Sequence, residues 1–383
     1  MINIFKLTNF LAKGDKGMFD VIVDSQRTFF ETLKKPIDNF DRTKKQYLCQ
    51  MFFVPLWKRI LFEIVSLIVL PFYWLIALIR SLFVSKRLLY KVDCISEYKS
   101  MEEVLPSEFR SKYQYSFQEW YSGKMFTFND WIFCLKCLFR TFSPYLTLKV
   151  SVKISLYSYM IHRYKPNAIQ VCAEYSFTSS VLTEYCNSFG IKHINVMHGE
   201  KLYYIRDSFF HFDECYIWHE HYKQLFMVLG AEESQFVIAV PPSLTIDCEK
   251  NYSKESFADF KYYLGEETED EIRSIVNSMQ KLVNNGEKIK YRPHPRYTNL
   301  SVLKKYVNLE DIEDTKKVPI VESIASTNFV IGSFSTVLLQ AYFSKKRVVF
   351  DDVTFEKRYI ELKTRHYFLA DKECSLLSNI IKK

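Results

Sequence analysis

The sequence predicts an α/β protein of two parallel-sheet halves preceded by a helical, apolar N-terminal region. Three observations predict it. A chain of 383 residues is long for one compact domain. From about Leu146 onward, short apolar runs alternate with helical segments bounded by Gly, Pro and Asn. And the run Ile64–Ile79 (IVSLIVLPFYWLIALI) carries no charge and is almost wholly apolar.

The composition bounds what such a protein does. At 48% hydrophobic and 25% charged, the chain has the balance of a folded protein rather than of a long disordered one. Only nine glycines are present, and neither a G-x-G-x-x-G turn nor a Walker A loop occurs. The formal charge of +8 suits an anionic membrane surface or an anionic substrate. No basic tract with interleaved stacking aromatics stands out, so nucleic acid is not expected as a partner. The nine cysteines are scattered; the Cys134-x-x-Cys137 pair lies in a helix-like apolar stretch without a second pair or a nearby His, which makes core thiols in a reducing compartment.

Met1–Lys16 lacks the apolar core and cleavage site of a signal peptide. Lys58 and Arg59 precede the apolar run, and Arg80, Lys86 and Arg87 follow it. The strict run falls short of the roughly 20 residues of a spanning helix, and Pro71 is expected to kink or break it. A buried core helix and a full span are alternatives. The basic flanks and the aromatics Phe52, Phe53, Trp57, Phe72, Tyr73 and Trp74 favour an interfacial or re-entrant segment on an anionic membrane. Residues 1–90 are therefore assigned as a helical, membrane-associating region.

Residues 91–245 form the first predicted sheet domain. Ser151–Tyr164 reads as a helix ended by Lys165-Pro-Asn, and Ala168–Ala173 as a strand buried on both faces. Ser179–Phe189 is a helix that Gly190 stops, followed by strands at His193–Met197, Glu214–Trp218 and Phe236–Val240. The polar stretch from Pro241-Pro242 to Ser256 is a linker. Residues 246–383 form the second domain, with helices at Glu269–Asn284, Ile320–Ser326 and Thr336–Phe343 and strands at Lys288–Arg292, Asn328–Ile331 and Arg347–Phe350. Open parallel sheets bind ligands at the carboxyl ends of their strands. Glu174, His198-Gly199, His294 and Ser333–Thr336 all fall at such ends, on either side of an expected interdomain cleft.

Two of these carry phosphate chemistry. In Asn328–Ala341 (NFVIGSFSTVLLQA) a buried strand ends at Gly332 and a hydroxyl-rich turn opens a helix. Ser335 or Thr336 is the candidate cap; the free N–H groups there, with the hydroxyl of Ser333, make an anion site. In Ile289–Arg296 (IKYRPHPR) two prolines hold His294 in an extended presentation, where its imidazole donates to a phosphate oxygen, assisted by Arg292 and Arg296. Glu322, on the preceding helix, is a candidate for a ribose hydroxyl.

The His294-Pro pair followed some forty residues later by Gly332-Ser-Phe-Ser-Thr336 resembles bacterial GT-B sialyltransferases, with their HP and Ser/Thr motifs. It also resembles the CDP-glycerol polymerases of teichoic acid synthesis and other capsule and O-antigen transferases. The resemblance covers about Ala168 to Asp352. It implies two Rossmann-like domains in a GT-B arrangement, with His294, Ser333, Ser335 and Thr336 on the donor phosphate. The base that deprotonates the acceptor has three candidates. Glu174 leads, since it directly follows a buried strand. His198 matches the HG histidine that the polymerases use as base. Asp213-Glu214-Cys215 stands where the sialyltransferases carry an acidic D/E-D/E-G motif, with Cys in place of Gly. No D-x-D marks a strand end, and His219-Glu-His221 lacks a third ligand, so metal-independent transfer without a cofactor is expected.

The resulting expectation is an inverting glycosyltransferase at the cytoplasmic face of a bacterial inner membrane, peripheral or monotopic. It extends a lipid-linked oligosaccharide of an O-antigen or capsule from a nucleotide sugar, CMP-sialic acid or a related nonulosonic acid. A CDP-glycerol or CDP-ribitol transferase and a non-catalytic scaffold of polysaccharide assembly are the alternatives.

Overall fold

A computed structural model describes residues 15–84, 88–96, 99–118, 124–246, 257–370 and 374–382. The reading of Met1–Lys16, the flanking Lys86 and Arg87, and the linker from residue 247 to Ser256 lie wholly or largely outside the described residues. The chain divides into two compact units, Met1–Ala239 and Val240–Lys383.

The first unit opens with helices α1 (Val23–Glu31), α2 (Asn39–Met51) and α3 (Leu56–Leu82). They are followed by β1 (Cys94–Ser96), α4 (Ser107–Lys112), β2 (Tyr115–Phe117), α5 (Phe128–Thr141) and α6 (Pro144–Tyr164). Then come β3 (Ala168–Val171), α7 (Ser179–Asn187), β4 (Lys192–Val196), β5 (Glu214–Ile217), α8 (Glu220–Val228) and β6 (Phe236–Ile238). The six strands form one parallel sheet in the order β2-β1-β3-β4-β5-β6. The predicted strand and helix of Ala168–Phe189 are there, with Lys165 at φ 44° capping α6 and Gly190 at φ 69° just beyond α7. Both are the left-handed stops that end helices.

The structure departs from the sequence reading at α3. The helix runs from Leu56 to Leu82 through Pro71 without a break. The proline removes one bond, to the carbonyl of Leu67 four residues back, and both residues lie on the exposed side. One lost bond does not end a helix whose other side is anchored along its length. That anchored side is the polar one: Lys58, Ser66, Leu70, Trp74 and Ser81 are buried, spaced along one stripe. Lys58 Nζ pairs with Asp15 at 2.8 Å, Trp74 Nε1 donates to Ser151 Oγ at 2.9 Å, and Tyr73 donates to Ser155 Oγ at 3.1 Å. Glu63, the carboxylate beside the apolar run, accepts from Tyr47 at 2.6 Å and from the Tyr145 N–H at 3.0 Å. The outward side carries Leu56, Trp57, Ile60, Ile64, Leu67, Ile68, Phe72, Leu75, Ile76, Ile79 and Leu82, each more than half or nearly half exposed.

Cys134 and Cys137 are both fully buried on α5, as core thiols should be, and burial pushes the Cys137 thiol up to about 12.

The second unit contains β7 (Ala258–Tyr263), α9 (Glu269–Val283), β8 (Ile289–Arg292), α10 (Leu300–Tyr306) and α11 (Ile320–Ala325). It continues with β9 (Thr327–Gly332), α12 (Thr336–Phe343), β10 (Arg347–Phe350), α13 (Glu356–Thr364), β11 (Ser375–Leu376) and α14 (Leu377–Ile380). Its parallel sheet has the order β11-β10-β9-β7-β8. The core lies between the sheet and α9, whose Ile272, Ile275, Met279 and Leu282 pack against Phe260, Tyr262 and Tyr291. Both units are thus of the predicted α/β class, each a parallel sheet with helices. The strands β1, β2, β7 and β11 were not read from the sequence.

Candidate functional site

Register explains why Glu174 and His198 meet. Strands β3 and β4 pair in parallel with Val171 opposite Asn195, so the residues three beyond each, Glu174 and His198, leave neighbouring strands at the same edge. The Asn195 side chain holds the turn by accepting the Ala173 N–H at 2.8 Å. His198 Nδ1 lies 3.6 Å from Glu174 Oε1.

Two residues that sequence reasoning missed complete this cluster. Lys201 Nζ stands 2.5 Å from Glu174 Oε1 and 3.9 Å from Asp207 Oδ2. The backbone is pinned by Gln46 of α2, whose amide donates to the Glu174 carbonyl at 2.8 Å and the Arg206 carbonyl at 3.1 Å. Glu174 is fully buried, and Lys201 and Asp207 nearly so, whereas the His198 side chain is 29% exposed.

Burial works to raise the Glu174 pKa, but Lys201 and then His198 outweigh it, leaving the carboxyl below its ordinary range. Burial raises Asp207 above its ordinary range, because Lys201 is farther from it and the Glu174 charge opposes its ionisation. Two carboxyls in one cluster are thereby pushed apart, a pattern associated with reacting sites. Glu174 Oε2 and His198 Nδ1 are buried without a hydrogen-bond partner among the described residues. Such orphaned groups are costly in a structural core and are found where a ligand completes the set. Tyr175 closes one side, its ring 6.2 Å edge-on to His198 and covered by the Arg206 guanidinium at 5.3 Å.

Asp213 and Glu214 lie at the other end of the sheet. Asp213 accepts the His193 N–H at the start of β4, at 2.7 Å, and Glu214 begins β5, held by Lys112 and Lys192 at 2.8 Å each. The acidic run marks a strand's amino end, away from Glu174, and is no candidate for the base.

In the second unit, the strand order reverses at β7, which lies between β8 and β9. The His294 turn leaves β8 and the Ser333–Thr336 loop leaves β9, so they flank the end of β7. Gly332 lets β9 and β7 pass closely there, since a Cβ would come within a tight 3.3 Å of the Tyr263 carbonyl. Ser335 is the N-cap of α12, its hydroxyl oxygen accepting the Val337 N–H at 3.3 Å, while Thr336 is the first helical residue. Ser333 is half-buried and Thr336 exposed at the same turn. His294 Nδ1 accepts the N–H groups of Arg296 at 3.1 Å and Tyr297 at 3.3 Å, and its ring stacks on Tyr297 at 4.4 Å. With Nδ1 committed as an acceptor, the neutral imidazole carries its proton on Nε2 and presents a fixed donor. Thr298 ties this turn to the end of β7, accepting the His294 N–H and donating to the Gly265 carbonyl, both at 2.8 Å.

Arg292 is not part of this surface. Its guanidinium is buried, paired with Glu313 at 2.5 Å and donating to the Val318 carbonyl at 3.0 Å. Glu313 also binds Lys261 at 2.7 Å, so Arg292 belongs to a structural network beneath the sheet's edge. Arg296 is exposed beside His294, and Glu322 is half-buried on α11.

No protein-family model matches the chain, and no curated protein matches it in sequence. Solved structures do share similarity. UDP-GlcNAc 2-epimerase from Methanocaldococcus jannaschii aligns over 76% of this chain and 91% of its own, with 13% identity and a TM-score of 0.42. A wall teichoic acid polymerase, solved with CDP-glycerol, aligns over 76% of this chain and 78% of its own, with 11% identity and a TM-score of 0.37. The lipopolysaccharide outer core galactosyltransferase WaaB in its apo form aligns over 76% of this chain and 93% of its own, with 9% identity and a TM-score of 0.39.

Proposed function

We propose that the protein is a metal-independent glycosyltransferase of the GT-B type, whose second unit binds the diphosphate or phosphate of a nucleotide-activated donor and whose first unit deprotonates the acceptor. The observation that carries this reading is the locked tautomer of His294. Its Nε2–H donor is preset at a strand end, across the end of β7 from the helix N-terminus capped by Ser335, in a turn ordered by backbone N–H groups. Preset donors stabilise the charge that develops on a departing nucleotide phosphate, and they do so without a reorganisation cost. Arg296 adds a charge-assisted bond to the same phosphate, and Ser333 and Thr336 add hydroxyl donors. Glu322 is assigned to a donor ribose hydroxyl.

His198 is the base in this reading, with Glu174 as its positioning partner. Glu174 is sealed and already bound to the Lys201 ammonium, while His198 alone of the cluster opens outward. The ionised carboxylate orients the imidazole and stabilises the imidazolium that forms as the acceptor hydroxyl attacks. This inverts the ranking that strand position alone suggests, and it draws the HG motif of the teichoic acid polymerases closer than the acidic motif of the sialyltransferases. The HP and Ser/Thr motifs support CMP-sialic acid or a related nonulosonic acid as donor; the His198-Gly199 pair supports a second reading, a CDP-glycerol or CDP-ribitol transferase.

The acceptor in both readings is a lipid-linked oligosaccharide of O-antigen or capsule type at the cytoplasmic face of a bacterial inner membrane. The support is α3, which turns its polar groups inward and leaves an apolar face about 40 Å long uncovered. Because the inward stripe is packed along the helix's whole length, the helix lies along the bilayer surface as a monotopic anchor, not across it.

A thermal-shift series with CMP, CDP, UDP and GDP tests the donor site. A cytidine nucleotide at a hundredfold excess over its Kd is expected to stabilise the chain by about 2.7 kcal/mol. His294→Ala is expected to weaken that binding about tenfold, the worth of one charge-assisted bond. No response to CMP or CDP sinks both donor readings; polysaccharide assembly unaffected by His294→Ala with no nucleotide bound would leave the scaffold, and full transfer activity in His294→Ala would remove His294 from the donor site. Release of CMP from CMP-sialic acid but not from CDP-glycerol separates the two donors.

A further inference from the structure

Beside α3 the first unit contains a trough of about 730 Å3 that the reading above leaves unused. Its size is that of a ligand pocket, which typically spans about 300–1,000 Å3. One wall is apolar: Leu61, Val65 and Val69 of α3 face Leu148 of α6 and Phe177 of the loop after β3. Leu61, Val65 and Val69 are also exposed on the outward flank of α3, so the apolar wall is continuous with the uncovered face of that helix.

The other lining is cationic. Lys16, Lys149 and Arg206 border the trough together with one carboxylate, Asp15, whose charge is already taken by Lys58 at 2.8 Å. Arg206 Nε is buried without a hydrogen-bond partner among the described residues, an unmet donor at this end. The same guanidinium covers Tyr175, whose ring touches His198. The trough therefore runs from the apolar face of α3 to within one side chain of the proposed base.

We infer that this trough binds the lipid phosphate of the acceptor: a single aliphatic chain lies against Leu61, Val65, Val69 and Leu148, and its phosphate or diphosphate is met by Arg206, Lys16 and Lys149. The charge pattern selects this occupant over a peptide or a neutral lipid. An apolar wall that opens onto a lipid-facing surface takes a chain entering sideways from the bilayer. Three cations line it, and the one carboxylate in the lining is paired with Lys58, so the lining favours an anionic head. The phosphate held there sets the attached sugar beside Tyr175 and His198, so the site acts as a ruler for the acceptor. The inference rests on the reading that α3 faces lipid.

The test uses the full-length chain in nanodiscs of neutral lipid, titrated with dodecyl phosphate, dodecanol and inorganic phosphate. Dodecyl phosphate is expected to bind at least tenfold more tightly than either half of the molecule alone. Arg206→Gln is expected to weaken it about tenfold, with Arg206→Lys retaining part of the affinity. Val65→Trp, which fills the apolar wall, is expected to abolish binding of dodecyl phosphate and to slow transfer to a lipid-linked acceptor while sparing a water-soluble one. Equal binding of inorganic phosphate, or unchanged binding in both Val65→Trp and Arg206→Gln, overturns the proposal. Co-sedimentation of the unaltered chain with phosphatidylglycerol vesicles separates the two ideas. Loss of adhesion refutes the lipid-facing helix; adhesion without dodecyl phosphate binding refutes the trough.

Discussion

The two sheets keep their buried charges in different places. In the first unit Glu174, Lys201 and Asp207 are buried at the carboxyl edge itself, and His198 alone opens outward. In the second, the edge carries an imidazole, hydroxyls and backbone N–H groups, with the Glu267 carboxylate occupied by the Gly265 N–H, while Lys261, Arg292 and Glu313 are buried under it. Both networks are costly to desolvate and survive only because their members are paired. The difference is in what the charge can reach. At the first edge it polarises a group exposed to a substrate; in the second unit it stiffens the strands β7 and β8 that present the His294 turn. A proton-transfer edge needs a strong local field, whereas a phosphate-binding edge needs preset donors.

The largest expected effect follows from stranding a buried charge. Glu313→Ala leaves the buried Lys261 ammonium and Arg292 guanidinium uncompensated and should cost about 3–5 kcal/mol in urea unfolding, and Glu174→Ala should cost less, since Asp207 still faces the Lys201 ammonium at 3.9 Å. The double change Glu174→Gln with Lys201→Met should recover most of the loss in the first unit, since it removes both charges together. Burial raises the pKa of both carboxyls, but Lys201 for Glu174 and Lys261 for Glu313 overcome it, so both end lowered. A carboxyl whose folded pKa is depressed stabilises the fold above its unfolded pKa of about 4.3 and loses that contribution as pH falls through the folded value. Acid unfolding of the unaltered chain should therefore extend below the ordinary carboxylate range, and Glu313→Gln should shift it upward. A double variant no more stable than Glu174→Ala would show that the cluster is held by something other than this pair.

Activity separates the two edges next. His198→Ala should lower transfer by about 10²–10⁴-fold, the range of a general base, with little change in unfolding. Added imidazole should restore part of that rate, because the binding sites stay intact. Glu174→Gln should slow transfer without rescue, since it disorients a base that is still present. Rescue of Glu174→Gln by formate, with His198→Ala near full activity, would return the base to Glu174.

How much of this was legible in the sequence depends on the range of the interactions. Strand ends are local, so the positions of Glu174, His198, His294 and Ser335 followed from short apolar runs and their stops. The cap at Ser335 and the left-handed stops at Lys165 and Gly190 are equally local. Lys201 was not legible, because in sequence it resembles any solvated lysine; its burial comes from packing against the loop that Gln46 of α2 pins. Arg292 misled for the same reason: its partner Glu313 stands 21 residues away, and only the fold brings them together. Strand β7 (ADFKYY) was missed because Lys261 interrupts its apolar pattern, although that lysine is fully buried against Glu313 and the Ser323 carbonyl. The three-residue strands β1 and β2 are too short to carry any period. For α3 the sequence overestimated Pro71, since the stripe of inward contacts that holds the helix together has no local signature.

The smallest effect discriminates most sharply within the second unit. Ser335 both caps α12 and borders the proposed phosphate site, so Ser335→Ala confounds the two roles; it should cost about 1 kcal/mol of stability as a lost cap. Ser335→Asp separates them. Aspartate caps as well as serine and its charge favours the positive end of the helix, so stability should be kept or rise by a few tenths of a kcal/mol. The same charge occupies the place of the donor phosphate and should abolish the thermal shift with CMP or CDP. If Ser335→Asp is stable and still binds the nucleotide as the unaltered chain does, the Ser333–Thr336 loop is a helix cap and nothing more. The donor phosphate would then have to be sought around His294 and Arg296 alone.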